Sequence, residues 1–149
     1  EITYDFIHER ERINTNLFMA LINEFNRKMK SEQKQIFIEV YGDKDFSQRA
    51  NIITFNIINK GEVINHNMIG TILTDIFGIQ IRTGCFCAGP FGIQLLNLSS
   101  ETVCELEDQV SIGIMKNKPG YCRLDLAFYF KEFEVNYLVK ALTSIAENN

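Results

Sequence analysis

Two stretches of this sequence carry residue types that could do chemistry. In Arg82-Thr83-Gly84-Cys85-Phe86-Cys87-Ala88-Gly89-Pro90, a pair of thiols sits in a run that breaks every periodicity around it. Residues 83–92 hold three glycines, one proline and two cysteines. Physically this is a strand end, a flexible turn and a thiol, with a short helix beginning near Gly92. A thiol beside an arginine and a helix N-terminus is held toward its thiolate form, and the thiolate is the species that attacks electrophilic sulfur or carbon. Cys87, followed by the small residues Ala88 and Gly89, is the better exposed candidate nucleophile. The plain alternative is that Cys85 and Cys87 are small buried hydrophobes, and spacing alone does not separate the two. A zinc site needs about four ligands. Only Cys85 and Cys87 are close, with His8 and His66 far off in sequence, so no metal site is expected.

The second stretch is Tyr121-Cys122-Arg123-Leu124-Asp125-Leu126. A guanidinium within an apolar strand is costly unless it is paired or faces a pocket. Its functional role would be a bidentate grip on a substrate carboxylate. The simpler role is an ion pair with Asp125, because residues two apart on a strand point the same way. The histidines add little. His8 reads as a solvated helix residue and His66 as an exposed residue just after a helix cap; neither has a sequence neighbour that makes a nucleophilic pair. The run His8-Glu9-Arg10-Glu11-Arg12 reads as a solvated face.

The elements that must position these residues follow from pattern. A helix is expected over residues 5–30, where Ile13, Leu17, Leu21, Phe25 and Met29 recur every fourth position beside Phe18 and Ile22. Residues 36–41 and 51–58 read as strands, with a turn at Lys60-Gly61. Asn65 caps a helix running to Phe77, closed by Gly78, with Met68, Ile69, Ile72, Leu73 and Ile76 as its buried stripe. A strand over 79–82, a short helix over 93–98 and a helix capped by Ser99 or Ser100 and running to about Val110 follow. After a turn at Pro119-Gly120 come a strand over 121–130 and a helix over 134–147 on Val135, Leu138, Leu142 and Ile145. The order predicts one α+β domain, a small mostly antiparallel sheet with helices packed on one face.

Composition narrows the function. With 15 basic against 19 acidic residues the net charge is −4, which disfavours nucleic-acid binding because that needs a basic face. No apolar run reaches the length that spans a membrane. Four cysteines, with only one close pair, read as a reduced, intracellular (cytoplasmic) protein. The chain opens on Glu1-Ile2-Thr3 with no initiator methionine and is expected to be a piece of something longer.

At the chemical residues the sequence resembles a known family. Arg-Thr-Gly-x-x-Cys-Ala-x-Pro at 82–90 looks like the cysteine loop of class V, fold-type I enzymes that use pyridoxal phosphate, a group that includes cysteine desulfurases. Gly120-Tyr121-Cys122-Arg123-Leu124 resembles that family's late Gly-x-x-Arg strand, followed by a last helix. The helix from Asn67 to Gly78, leading into Ile79-Gln80-Ile81-Arg82, fits as well. The loop is also similar to that of molybdenum cofactor sulfurases, which usually continue with Asn-Pro-Gly where Ala88-Gly89-Pro90 stands here. Cys-x-Cys-Ala-Gly-Pro followed by Phe91-Gly92 and Leu95-Leu96 looks more like a less characterised class V branch.

The resemblance implies that the whole chain, 1–149, is the family's C-terminal small domain, with the large cofactor-binding domain absent. It implies that Cys87 is the sulfur-accepting cysteine, that Arg123 holds the substrate carboxylate, and that Arg82 supports it. Asp125 departs from the small residue often found after that arginine. Pyridoxal phosphate is implied for the full-length protein and no cofactor for this fragment, because the family's Schiff-base lysine, pyridine-nitrogen aspartate and phosphate cradle belong to the large domain. The partners implied are that large domain, a second copy in a homodimer and a small amino-acid substrate. Three functions are compatible with these features: a cysteine desulfurase that moves sulfur onto Cys87 as a persulfide, a class V aminotransferase or lyase in which Cys87 only lines the pocket, and a non-catalytic interaction domain.

Overall fold

The computed structural model describes residues 2–43, 49–84, 89–114 and 118–148. Helix α1 spans Tyr4–Ser31, followed by strands β1 (Ile36–Tyr41), β2 (Ile52–Asn59) and β3 (Glu62–Val63). Helix α2 (His66–Phe77) leads to β4 (Arg82–Gly84), and α3 (Gly89–Leu95) and α4 (Ser100–Ser111) precede β5 (Tyr121–Asp125) and α5 (Glu132–Glu147). The sheet order is β1-β2-β5-β4, every pairing is antiparallel, and β3 adds a short ladder to β2. The expected α+β architecture is what the chain adopts.

Side chains alternate along each strand and so sort onto two faces. Ile38, Ile53, Phe55, Ile57, Cys122 and Leu124 point to the face covered by α1, α2 and α5 and form one core with those helices. Phe18, Ile22 and Met29 come from α1 and Val135, Leu142 and Ile145 from α5, all buried. Each such side chain contributes roughly 1.5–3 kcal/mol of burial. The edge strand β1 is closed by a side chain. Asn26 of α1 accepts from Ile38 N at 2.9 Å and donates to Ile38 O at 2.8 Å, which satisfies both backbone groups of that residue.

Several expectations need correction. The strand expected over 121–130 ends at Asp125, because α1 takes over the backbone beyond it. Asn14 donates to Ala127 O at 2.9 Å, and Arg10 donates to Phe130 O at 3.0 Å. The strand expected over 79–82 begins only at Arg82. Ile79 N–H is still bonded back to Leu73 O at 2.8 Å across the left-handed Gly78, so residue 79 belongs to the close of α2. Gly89-Pro90-Phe91-Gly92 is helical rather than irregular, with the proline in the first turn, where its missing N–H costs nothing. Met68 and Ile76 are 41% and 71% exposed, since of its expected stripe α2 meets the core through Ile69 and Leu73, with Ile72 packed at the edge. Ile13 of α1 is likewise exposed, and the polar pair Asn14 and Thr15 is buried beside it.

Candidate functional site

The site is built at the β4–β5 edge. Asn65 caps α2 by accepting from Asn67 N at 2.9 Å, which fixes where the helix starts. Within the first turn, Asn67 accepts a hydrogen bond from Thr83 Oγ1 at 2.9 Å. Gly70 lets β4 lie close, because a Cβ there would come within 2.7 Å of Thr83 Cγ2. Helix α2 therefore sets the position of β4. At the end of β4, Gly84 has φ +112°, a conformation that L side chains rarely adopt. Gly84 is the last residue described before the cysteine loop. Cys85 and Cys87 themselves lie outside the described residues.

The register then brings the two expected arginines together. Arg82 lies directly opposite Arg123 on the neighbouring strand, and Arg123 lies opposite Thr54 on its other side. Thr54 in turn faces Tyr41. One row thus crosses four strands, from Tyr41 through Thr54 and Arg123 to Arg82, on the sheet face away from α1, α2 and α5. Directly opposed residues have Cβ atoms about 4.5–5.5 Å apart, and like charges so placed repel. Two arginines opposed on adjacent strands concentrate positive charge on this face, and a guanidinium is suited to a bidentate carboxylate. Arg123 is half-buried and Arg82 exposed. Asp125 is exposed and makes no ion pair among the described residues, so the simple Arg123–Asp125 pair is not what the strand forms.

Three further residues beside this row escaped sequence reasoning. Asn56 is fully buried, donates to Tyr41 OH and to Gly120 O, each at 3.2 Å, and leaves its Oδ1 without a partner. An asparagine inside the apolar run Ile52-Ile53-Thr54-Phe55-Asn56-Ile57-Ile58 was the available signal. The Tyr41 phenol is pushed up to about 12 by burial, and the Asn56 hydrogen bond opposes this while Glu39 adds to it. His66, expected to be exposed, is 5% exposed. Its ring lies against Gly120, where a Cβ would approach within 2.6 Å. Burial, then the nearby Lys118 charge, lowers its pKa and keeps the imidazole neutral. Next to it the Cys122 thiol is buried, donates to His66 O at 3.7 Å and is pushed up to about 12 by desolvation, so Cys122 is not a nucleophile.

Pyridoxal phosphate does not fit the described residues of this chain alone. A Schiff-base lysine needs a desolvated pocket, and every described lysine is exposed to solvent. Among the described residues no cluster of three or more His, Cys, Asp or Glu side chains is placed to hold a metal ion. No helix among them is long and apolar enough to cross a membrane.

No family model matches the chain. Human molybdenum cofactor sulfurase is 31% identical to it over 70 residues, which is 44% of this chain and 8% of the sulfurase. The apo structure of a cysteine desulfurase from Thermococcus onnurineus NA1 superposes with a TM-score of 0.64 at 16% identity, over 97% of this chain and 27% of that one. The chain thus spans a small part of each protein it matches. It resembles class V enzymes in sequence, and over nearly its whole length it has the fold of one segment of a cysteine desulfurase.

Proposed function

We propose that this chain is the C-terminal small domain of a class V pyridoxal-phosphate enzyme of the cysteine desulfurase type. The large domain of the same protein holds the cofactor, a second copy completes a homodimer, and the substrate is a small amino acid. The observation that carries this reading is the placement of Arg82, three residues before Cys85 in the chain, opposite Arg123. Pyridoxal phosphate in the large domain supplies the electron sink for cleaving the substrate. The role of this chain is to bind and to accept. Arg123 grips the substrate carboxylate, and Arg82 adds positive charge on the neighbouring strand. Cys87 forms a sulfur–sulfur bond to the substrate sulfur as that atom's bond to carbon breaks. The carbon takes a proton, so cysteine and a thiol become alanine and a persulfide with no outside oxidant.

The test uses the full-length protein supplied with cysteine. Alanine release and protein-bound persulfide are measured for the wild type and for Cys87→Ser. Loss of both in the variant is the expected result. Alanine release at the wild-type rate means that Cys87 is not the acceptor, and a keto acid in place of alanine identifies an aminotransferase.

A further inference from the structure

Asn56 breaks the rules that build the rest of the interior. It sits between the core residues Phe55 and Ile57, is fully buried, and its Oδ1 has no partner among the described residues. A buried acceptor left unpaired weakens a fold, and an apolar side chain of similar volume would not carry that loss. Such a break in local consistency marks a place where something besides stability is served. The partners of the amide say what that is. Its nitrogen donates to Tyr41 OH and to Gly120 O, each at 3.2 Å.

The β2–β5 ladder runs from Ile52 opposite Asp125 to Phe55 opposite Cys122 and ends there. Gly120 lies two residues beyond that end, and its carbonyl is held by the Asn56 side chain in place of the ladder. The His66 ring packs against the same glycine, where a Cβ would come within 2.6 Å. Arg123 follows three residues later in the chain. Side chains alternate along a strand, so Asn56 shares the face of Thr54, which stands opposite Arg123. Tyr41, the other partner of the amide, ends that row of four residues. One side chain thus ties the row that contains Arg123 to the backbone from which β5 starts. We propose that Asn56 is a positioning residue that acts through Gly120 O, setting the start of β5 and so the placement of the Arg123 guanidinium for a substrate carboxylate. The proposal rests on the carboxylate grip of Arg123, and Asn56 itself touches no substrate.

The test is binding of two ligands to the full-length, cofactor-loaded protein by isothermal titration calorimetry. Alanine and alaninamide share a shape and differ at the carboxylate, so the ratio of their dissociation constants reads the grip. The wild type is expected to prefer alanine by roughly 10- to 100-fold, and Arg123→Gln to lose the preference. Asn56→Leu removes both hydrogen bonds at similar volume. It is expected to lower the preference by about fivefold or more while the affinity for alaninamide changes by less than about twofold. The double variant Asn56→Leu, Arg123→Gln is expected to match Arg123→Gln, because two residues that act as one unit do not add. Where Asn56→Leu does not fold, Tyr41→Phe carries the test. It removes the hydroxyl that anchors the amide at a half-buried position, and is expected to lower the preference by about threefold. A preference unchanged in the variant read, an equal weakening of both ligands, or a double variant that loses more than Arg123→Gln overturns the positioning role and leaves the grip standing. A wild type indifferent to the carboxylate, or an Arg123→Gln protein that keeps its preference, overturns the grip itself.

Discussion

An arginine in the middle of an apolar strand needs a physical reason. For Arg123 the two reasons available from sequence were an ion pair with Asp125 and a grip on a ligand. Asp125 is exposed and unpaired among the described residues, while Arg82 stands across the ladder as a second cation. The proposed carboxylate grip separates the two residues in an experiment. In the full-length protein, Arg123→Gln is expected to raise KM for the amino-acid substrate by roughly 10- to 100-fold, the worth of a lost charge-assisted hydrogen bond of about 1.5–3 kcal/mol. Asp125→Asn is expected to change it by less than about twofold, as an exposed and unpaired charge should. Equal effects of the two substitutions in steady-state kinetics would return Asp125 to the role of Arg123's partner. The arginine and the cysteine loop were legible in sequence because their types are unusual for their settings. The Arg82–Arg123 juxtaposition was not, because register is decided by which strands pair and no local pattern states it. Asn56 had a local signal, a polar residue in an apolar run, but its partners Tyr41 and Gly120 follow from the pairing and not from the run.

At the scale of elements, caps and patterns told most of the story. Asn65, Gly78 and Ser99 mark helix ends where expected, since each satisfies backbone groups that only those positions leave open. The errors lie where tertiary contacts override local preference. The strand after Arg123 is cut short by side chains from α1, more than a hundred residues earlier in the chain. The β4 strand depends on a contact of the same kind. Gly70→Ala should gain up to about 1 kcal/mol in helix propensity, but its methyl would meet Thr83 Cγ2, an overpacking that costs about 1–3 kcal/mol. A net loss of about 1 kcal/mol in urea denaturation is expected. The double variant Gly70→Ala, Thr83→Ser removes the obstructing methyl and should return to the wild-type midpoint or exceed it. A double variant no more stable than Gly70→Ala alone would show that α2 does not set β4 through this contact.

For the molecule as a whole, two buried titratable groups and the half-buried Tyr41 limit stability from both sides of neutrality. His66 has a lowered pKa in the fold, so below the ordinary imidazole value of 6.5 the unfolded chain takes up the proton more readily and stability falls as pH drops. Cys122 and Tyr41 are both raised to about 12 from 9.0 and 10.0, so above those ordinary values the unfolded chain ionises first and stability falls as pH rises toward 12. Thermal melts should therefore show a plateau between about pH 7 and pH 9, with a falling limb on each side. His66→Gln should flatten the acid limb between about pH 6.5 and 5, where exposed carboxylates contribute little. Cys122→Ala and Tyr41→Phe should flatten the alkaline one. An unchanged acid slope in His66→Gln would mean that the imidazole takes up its proton equally readily in the folded and unfolded chain.

The contact between the His66 ring and Gly120 has a consequence beyond this chain. It joins the first residue of one helix to the residue before a strand, 54 positions later. Neither side can grow unless the other shrinks. Across descendants of this ancestor the two sites should change together: a bulky ring at the first with glycine at the second, or a small side chain at the first where the second has acquired a methyl. A lineage that combined a large residue at both would have had to shift the strand that carries Arg123, and with it the geometry that natural selection acts on.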